Sequence, residues 1–363
     1  MRIQSCEIKT ITIPLVKPFK TALRTVTEIE NTFVYLKVEN GVTGIGSAAP
    51  TLAITGDSKE SIEGVLKHLL IPEVTGKDLR NLNDLSVNIQ NSCIGNTSAK
   101  AAMEIALYDA FCKSINVPLY QFLGGKFREL KNDKTVSVGS IAEMTNEAKQ
   151  IVQEGISTIK VKVGKDWTTD GKSVLAIREA VGNKVTIRLD ANQGWTVKQA
   201  IHIITDLEKA EANIELVEQP IKAADIYGLK QIKDHVTTPI MADESLFSPS
   251  DALRLLNENA VDYLNIKLMK TGGIRTALQI ADIAEAAGIE CMIGSMMESA
   301  VSVTAAIHLA MAHPNITKVD MDAPLWLQEE IEGIQFKGES IILGDLPGLG
   351  IHTRHFNSSC LKK

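Results

Sequence analysis

The chain lacks a surplus of positive charge, an apolar run long enough to cross a bilayer, and any CxxC pair. Lys+Arg (38) against Asp+Glu (44) leaves a net charge of −6, which argues against a general nucleic-acid or anionic-membrane surface. No apolar stretch approaches the roughly 18 residues expected of a spanning helix. Charge appears from Arg2 onward, without the apolar core of a signal segment. The cysteines (Cys6, Cys93, Cys112, Cys291 and Cys360) are odd in number and far apart, as expected of reduced thiols in a cytoplasm. No GxGxxG turn follows an early strand, which weakens a dinucleotide-binding reading. The expectation is a cytoplasmic protein with no nucleic-acid or membrane partner. Its 363 residues can bury a substantial core without disulfides or a structural metal.

The pattern changes character near residue 130. Before it, strand-like stretches (Arg2–Pro14, Thr32–Asn40) turn through Glu39-Asn40-Gly41 into Val42–Ala48. Helical patterns follow at Ser58–Leu70, Asn81–Gln90 and Ser98–Ser114, the last with Ser98 as its expected N-cap. Strands followed by helices, without alternation, read as a small α+β domain over residues 1–128. From Lys134 the pattern alternates. Short β-rich runs stand at Thr135–Ser140, Thr158–Val163, Val185–Asp190, Ile214–Glu218, Pro239–Asp243, Tyr263–Leu268, Glu290–Gly294 and Thr317–Asp322. Helical stretches such as Met144–Glu154, Lys172–Val181, Val197–Ala210, Pro249–Glu258 and Ile274–Ala287 separate most of them. This predicts an α/β (β/α)7–8 barrel over 129–346, with an open doubly wound sheet as the alternative that strand count alone leaves standing. Residues 347–363 form a tail that can return to the first domain.

The charges fall at the strand ends. In Ile159-Lys160-Val161-Lys162-Val163 both lysines share one face of a strand, because successive side chains alternate. In a barrel the apolar face packs under the helices, so the lysines point inward near the C-terminal mouth; an exposed strand with two solvated lysines is the plainer account. Asp190, Glu218 and Asp243 then end the next three apolar runs. Each alone could be a helix cap or turn acid. Three together would repel one another, and a hard divalent cation such as Mg²⁺ resolves the repulsion with oxygen ligands. Zinc is disfavoured, since no His or Cys joins the set.

Lys267, in Asn265-Ile266-Lys267-Leu268-Met269, comes from the sixth run and lies across the barrel from Lys162. Two opposed lysines flanking a cation suit removal of an α-proton from one face of a bound carboxylate substrate and its return to the other. Such use of Lys with Mg²⁺ is an established pattern. Lys160 and Lys162, ~6–7 Å apart, would repel by roughly 2.5 kcal/mol at an effective dielectric of about 20, nearly two pKa units. Lys162 is therefore read as the base, Lys160 as its electrostatic tuner and a carboxylate contact, and Lys267 as the acid/base of the opposite face.

The ordered set KVKVG, LDANQGW, VEQP, MADES and NIKLMKTGG resembles the muconate-lactonizing-enzyme subgroup of the enolase superfamily across essentially the whole chain. The resemblance implies an N-terminal α+β capping domain over a modified TIM barrel, with one Mg²⁺ per subunit on Asp190, Glu218 and Asp243. Within the subgroup the chain is most similar to dipeptide epimerases, the Ala-Glu type above all. Asp320-Met321-Asp322 is like that family's DxD motif, whose acids share a face by strand parity and pair with a substrate ammonium. The segment 17–25 is similar to its substrate-covering loop, in which Arg24 would meet a glutamate side-chain carboxylate; a plain surface arginine is the competing account. Thr135, Ser295, Met297 and Glu298 match substrate-lining positions. The resemblance further implies a homo-oligomer, a dipeptide as the small-molecule partner, and a setting in cell-wall peptide recycling.

Rival chemistries share the scaffold: N-acylamino-acid racemisation, o-succinylbenzoate synthesis and lactone cycloisomerisation. The DxD pair separates them, because an acid pair has no use for an N-acylated or non-amino substrate. A Schiff-base aldolase on Lys162 or Lys267 and a non-catalytic binding protein are the remaining rivals. His68, His202, His308 and His313 lie in helical patterns and read as structural or exposed; Trp195 reads as packing.

Overall fold

The computed structural model describes residues 1–22, 25–328 and 331–352. Strands β1 (Ile3–Lys20), β2 (Thr25–Val38) and β3 (Thr43–Ala48) form an antiparallel sheet in chain order. The β1–β2 hairpin runs past the expected Pro14, to Lys20 paired with Thr25, with a break in register between Pro14 and Phe19. Helix Thr97–Ser114 packs on this sheet so closely that a Cβ on Gly46 would lie 1.9 Å from the Ala102 carbonyl oxygen. Only glycine facing alanine permits that approach. The helix is buried nearly all round, which explains why no single apolar stripe marks it. Its cap residue is Asn96, in the left-handed region, rather than Ser98; the Ser98 amide donates instead to Asp57 Oδ2 at 2.9 Å. The expected helix from Ser58 begins there in a capping box, then widens at Leu66–Leu70 and runs on to Val74.

After the short β4 (Leu130–Lys131), eight strands follow: β5 (Lys134–Val136), β6 (Thr158–Lys162), β7 (Thr186–Asp190), β8 (Ile214–Glu218), β9 (Ile240–Ala242), β10 (Tyr263–Ile266), β11 (Glu290–Gly294) and β12 (Ile316–Asp320). They make one sheet in consecutive order, each neighbouring pair parallel. The seam between β5 and β12 is closed largely by side chains. The Met321 amide donates to Asn132 Oδ1 (2.7 Å) and the Thr135 amide to Asp322 Oδ2 (2.8 Å). The fold is therefore a nearly closed α/β barrel with helices outside and an N-terminal α+β cap, and the open-sheet alternative falls. Helices Ile226–His235 and Ala300–Ala312, whose bounds were not drawn from the sequence, complete the outer layer; the second contains His308 and is ended by His313 in extended conformation. The second is apolar all round because cap and barrel cover both of its sides.

Strands β13 (Ile334–Lys337) and β14 (Ser340–Leu343) pair with each other and with β4. The chain then reaches the cap, where Gly348 exchanges backbone bonds with Val117 and Leu119 and the Leu349 amide donates to Asp109. Residues 353–363 lie outside the described part.

The barrel interior is layered. Leu216, Met241 and Met292 form a small apolar floor separate from the main core between sheet and helices. Beside it Arg188, opposite Leu216 in register, pairs with Asp133 (2.8 Å) and Glu215 (2.5 Å). One buried acid, Glu104 on the cap helix, reaches the first turn of barrel helix Ile274–Ala286, where the Arg275 amide donates to it at 3.2 Å. Burial raises its pKa from 4.5 to about 7. The ionised form is therefore penalised in the folded state only: the penalty is absent below about pH 4.5 and complete above about pH 7. Glu104→Gln should raise the unfolding temperature at pH 8 but leave it nearly unchanged at pH 4.5, the difference corresponding to on the order of 3 kcal/mol. Thermal unfolding at the two pH values reads this; a shift of equal size at both would show that Glu104 is not strained by its charge.

Candidate active site

Strand register assembles the site. Lys162 on β6 pairs with Asp190 on β7, and Asp190 with Glu218 on β8, so the three stand in one layer at the C-terminal ends. Glu218 is opposite Met241, and Asp243 follows two residues later on the same inward face. Lys160, one layer lower, is opposite Thr135 and Arg188. Lys267 leaves the end of β10, four strands round from β6. All of these side chains are buried.

The charges are paired. Lys160 Nζ lies 3.0 Å from Asp190 Oδ2, 2.7 Å from Glu218 Oε2 and 2.6 Å from Asp320 Oδ2. Lys162 Nζ is 2.6 Å from Asp190 Oδ2 and 3.3 Å from Asn192 Oδ1. Lys267 Nζ is 2.7 Å from Asp243 Oδ2. Burial alone would lower the Lys160 pKa, but Asp190, Asp320 and Glu218 hold it well above the lysine range. Lys267 is likewise raised against burial by Asp243 and Glu218. Burial opposes ionisation of Asp190, yet Lys160 and Lys162 bring it down to about 2. Glu218 goes the other way, up to about 7, through burial and the neighbouring Asp190 and Asp243. One expectation changes: Lys160 is not a bare cation beside Lys162. Three carboxylates offset its charge, so Lys160 alone does not supply the expected repulsive tuning.

A cavity opens above this layer. Its lining includes Phe19, Ile54 and Thr135, the lysines 160, 162 and 267, and Asp320 with Asp322. Ser295 and Met297 also line it, whereas Glu298 does not. Glu298 is buried under the loop, accepting from the Met296 amide at 2.8 Å, and burial raises its pKa to about 7. Asp320 and Asp322 do meet at the cavity, but not by strand parity. β12 ends at Asp320, and Asp322 has turned into a helical conformation at φ −84°, ψ −4°. Arg24 lies outside the described residues.

Sequence reasoning missed Lys270, Asn265 and Asn192. Lys270, fully buried, holds the Asp243 backbone carbonyl and its Oδ1 (2.5 Å), bracing that acid from behind. Asn265 Nδ2 donates to Glu218 Oε1 at 2.8 Å. Both were within reach: Asn265 shares the inward face of Lys267 by strand parity, and Lys270 is one helical turn beyond it. A Cβ on Gly294 would lie 2.7 Å from Asn265 Oδ1 and 3.0 Å from Lys267 Cε, so the adjacent strand needs glycine there.

A capped α/β barrel with acids on three successive strands between two opposed lysines defines an enolase-type protein, and comparison agrees. Residues 143–356 match the enolase C-terminal domain-like family and residues 6–124 the mandelate racemase / muconate lactonizing enzyme N-terminal domain; the chain belongs to this family. Among curated relatives, the L-Ala-D/L-Glu epimerase of Clostridium acetobutylicum is 45% identical over 97% of this chain and 99% of its own. The structure of a substrate-liganded L-Ala-D/L-Glu epimerase from Bacillus subtilis superposes with a TM-score of 0.95 at 47% identity, covering 96% of this chain and 98% of that one. A dipeptide epimerase from Enterococcus faecalis V583, complexed with Mg and the dipeptide L-Leu-L-Tyr, gives 0.93 at 39% identity over 96% and 99%.

The donor chemistry of Asp190, Glu218 and Asp243 suits Mg²⁺: three buried carboxylates, of which Glu218 is pushed up by burial and its acidic neighbours even with Lys160 beside it. Their present spread is wider than one ion's shell. Among the described residues, the trio with ligand atoms all within 4.8 Å of one another is the exposed Asp282 and Glu285 with the buried His313. Asp190 and Asp243 are drawn to lysines instead, so sharing one ion requires the carboxylates to rotate towards one another. Mg²⁺ at about a hundredfold over its dissociation constant should stabilise the fold by about 2.7 kcal/mol. The unfolding temperature should rise, and EDTA should reverse the rise. Asp190→Asn, Glu218→Gln and Asp243→Asn should each abolish that increment; its survival in all three would place the ion elsewhere.

Proposed function

We propose that this chain is a Mg²⁺-dependent dipeptide epimerase that inverts the α-carbon of the C-terminal residue, with L-Ala-D/L-Glu as leading substrate. The observation that carries the reading is the pair of ammonium groups, Lys162 and Lys267, on opposite sides of one cavity whose rim also bears Asp320 and Asp322. Mg²⁺ on Asp190, Glu218 and Asp243 would supply positive charge beside the substrate carboxylate and so acidify the α-proton. Lys162 takes or returns that proton on one face and Lys267 on the other, each over a few ångströms. Lys160, fixed among its carboxylates, contributes a cation at the floor of the site for the same substrate group. Asp320 and Asp322 receive the free amino group, which favours a dipeptide over N-acylated or non-amino substrates of the same scaffold. Thr135, Ser295 and Met297 line the space around the peptide, and Arg24 reads the glutamate side chain. The reading carries a cytoplasmic setting in recycling of cell-wall peptides.

A dipeptide library incubated in D₂O with Mg²⁺ should show α-deuteration by mass spectrometry, greatest for Ala-Glu. Exchange confined to N-acyl amino acids, with free dipeptides inert, would defeat the assignment. Lys162→Ala should abolish exchange from one epimer and Lys267→Ala from the other, each by at least about 10²-fold. Equal residual exchange from both epimers in either variant would contradict the facial roles.

A further inference from the structure

The two acids of the DxD pair are held differently. Asp320 has a cation, Lys160, at 2.6 Å. Asp322 has no ion-pair partner among the described residues; its Oδ2 accepts from two neutral donors, the Thr135 amide at 2.8 Å and the Trp326 indole N–H at 3.0 Å. Neutral donors orient a buried carboxylate without cancelling its charge, so an entering ammonium is the missing counter-ion. Burial and the neighbouring Asp320 raise the Asp322 pKa, in keeping with that lack.

The indole that orients Asp322 also meets the cap. Trp326 is 3% exposed, with Phe19 edge-on to its ring at 4.9 Å between centroids and Lys17 Nζ 4.8 Å over it. Lys17 is paired with Glu147 on barrel helix Ile141–Gln153, and Glu147 Oε2 accepts from the Ser137 amide at 3.0 Å. The residues after the indole are bonded to the same cap strand: the Gln328 amide to the Pro14 carbonyl (2.9 Å), its side-chain amide to the Leu15 carbonyl (3.0 Å). Phe19 itself lines the cavity, 6.0 Å from Lys162 Nζ. One side chain therefore touches both the cap hairpin over the site and the acid inside it.

We infer that Trp326 is a positioning residue that couples docking of the cap hairpin at Lys17 and Phe19 to recognition of the substrate's free α-ammonium group by Asp322. The inference rests on the epimerase reading in that it takes Asp322 to meet the amino group. Trp326→Phe keeps one aromatic ring for Phe19 and Lys17 and removes the N–H together with the second ring of the indole. Calorimetric binding of L-Ala-L-Glu and of its desamino analogue, propionyl-L-Glu, in the presence of Mg²⁺ separates the cases. The wild-type protein should prefer the amine-bearing ligand. Trp326→Phe should weaken that ligand about tenfold, leave the analogue unchanged, and raise KM for the dipeptide with kcat within about twofold. Glu147→Gln, which frees Lys17 without touching the cavity, should weaken the same ligand about threefold and spare the analogue. A wild-type protein without preference for the amine would sink the substrate reading together with this one. A preference that survives intact in Trp326→Phe, or an equal loss for both ligands, would overturn the role of Trp326 alone. Should Trp326→Phe not fold, Glu147→Gln decides: unchanged binding of both ligands rejects the coupling.

Discussion

The Lys160 ammonium lies within 3.0 Å of carboxylate oxygens from Asp190, Glu218 and Asp320, on strands that reach it from both sides of the barrel. Much else follows from that junction. A lone charge inside a low-dielectric interior would be prohibitive, and three converging acids would be worse. With a central cation the barrel can carry a dense charged layer at its mouth while keeping an apolar floor of Leu216, Met241 and Met292 beneath it. Arg188, opposite Lys160 on the neighbouring strand, repeats the device by pairing with Asp133. Asp190 and Asp320 are thereby kept ionised where burial alone would protonate them, while Glu218 stays raised to about 7.

The same pairing sets a competition. Asp190 serves Lys160 and Lys162, and Asp243 serves Lys267 and Lys270, so two of the three acids that could hold a cation are each shared between two lysines, while the third, Glu218, is paired with Lys160 alone. The chain cannot satisfy ion and lysines with the same oxygens at full strength. An acid that turned to a dication would leave its lysine with a weaker counter-charge, and a lysine so relieved gives up its proton more readily. Lys270 keeps the competition local: bonded to the backbone carbonyl of Asp243 as well as its carboxylate, it holds the acid in place whichever way the carboxylate is drawn.

Much of this was legible in the sequence, for a definite reason. The strand period of two puts Lys160 and Lys162 on one face whatever surrounds them, and acids closing Ile214–Glu218 and its neighbours mark the end where barrel chemistry is done. All eight strands were found within a few residues of their places. What escaped was set by contacts between segments distant in the chain. Helix Ala300–Ala312 has no polar face because cap and barrel both cover it, so periodicity is silent there. Asn96, not Ser98, begins the cap helix because the Ser98 amide is claimed by Asp57, some forty residues earlier. The inward fold of Glu298 and the turn at Asp322 depend on loop conformations that no repeat encodes.

These differences fall along a line between strand and loop. Lys160, Lys162, Asp190 and Glu218 stand on strands, where register fixes them to the layer, and Asp243 and Lys267 follow one residue beyond strand ends. Other groups lining the cavity, such as Phe19, Ser295 and Met297, stand on loops or on the cap, where their positions depend on packing between the two halves of the molecule. Asp320 and Asp322 straddle that line within three residues: the first ends a strand and is committed to Lys160, the second has left the sheet and is oriented by Thr135 and an indole that also packs on the cap. A scaffold so divided can alter what it binds by changing cap contacts while leaving the charged layer intact, because a cation held among three carboxylates gains nothing from the identity of the side chains above it.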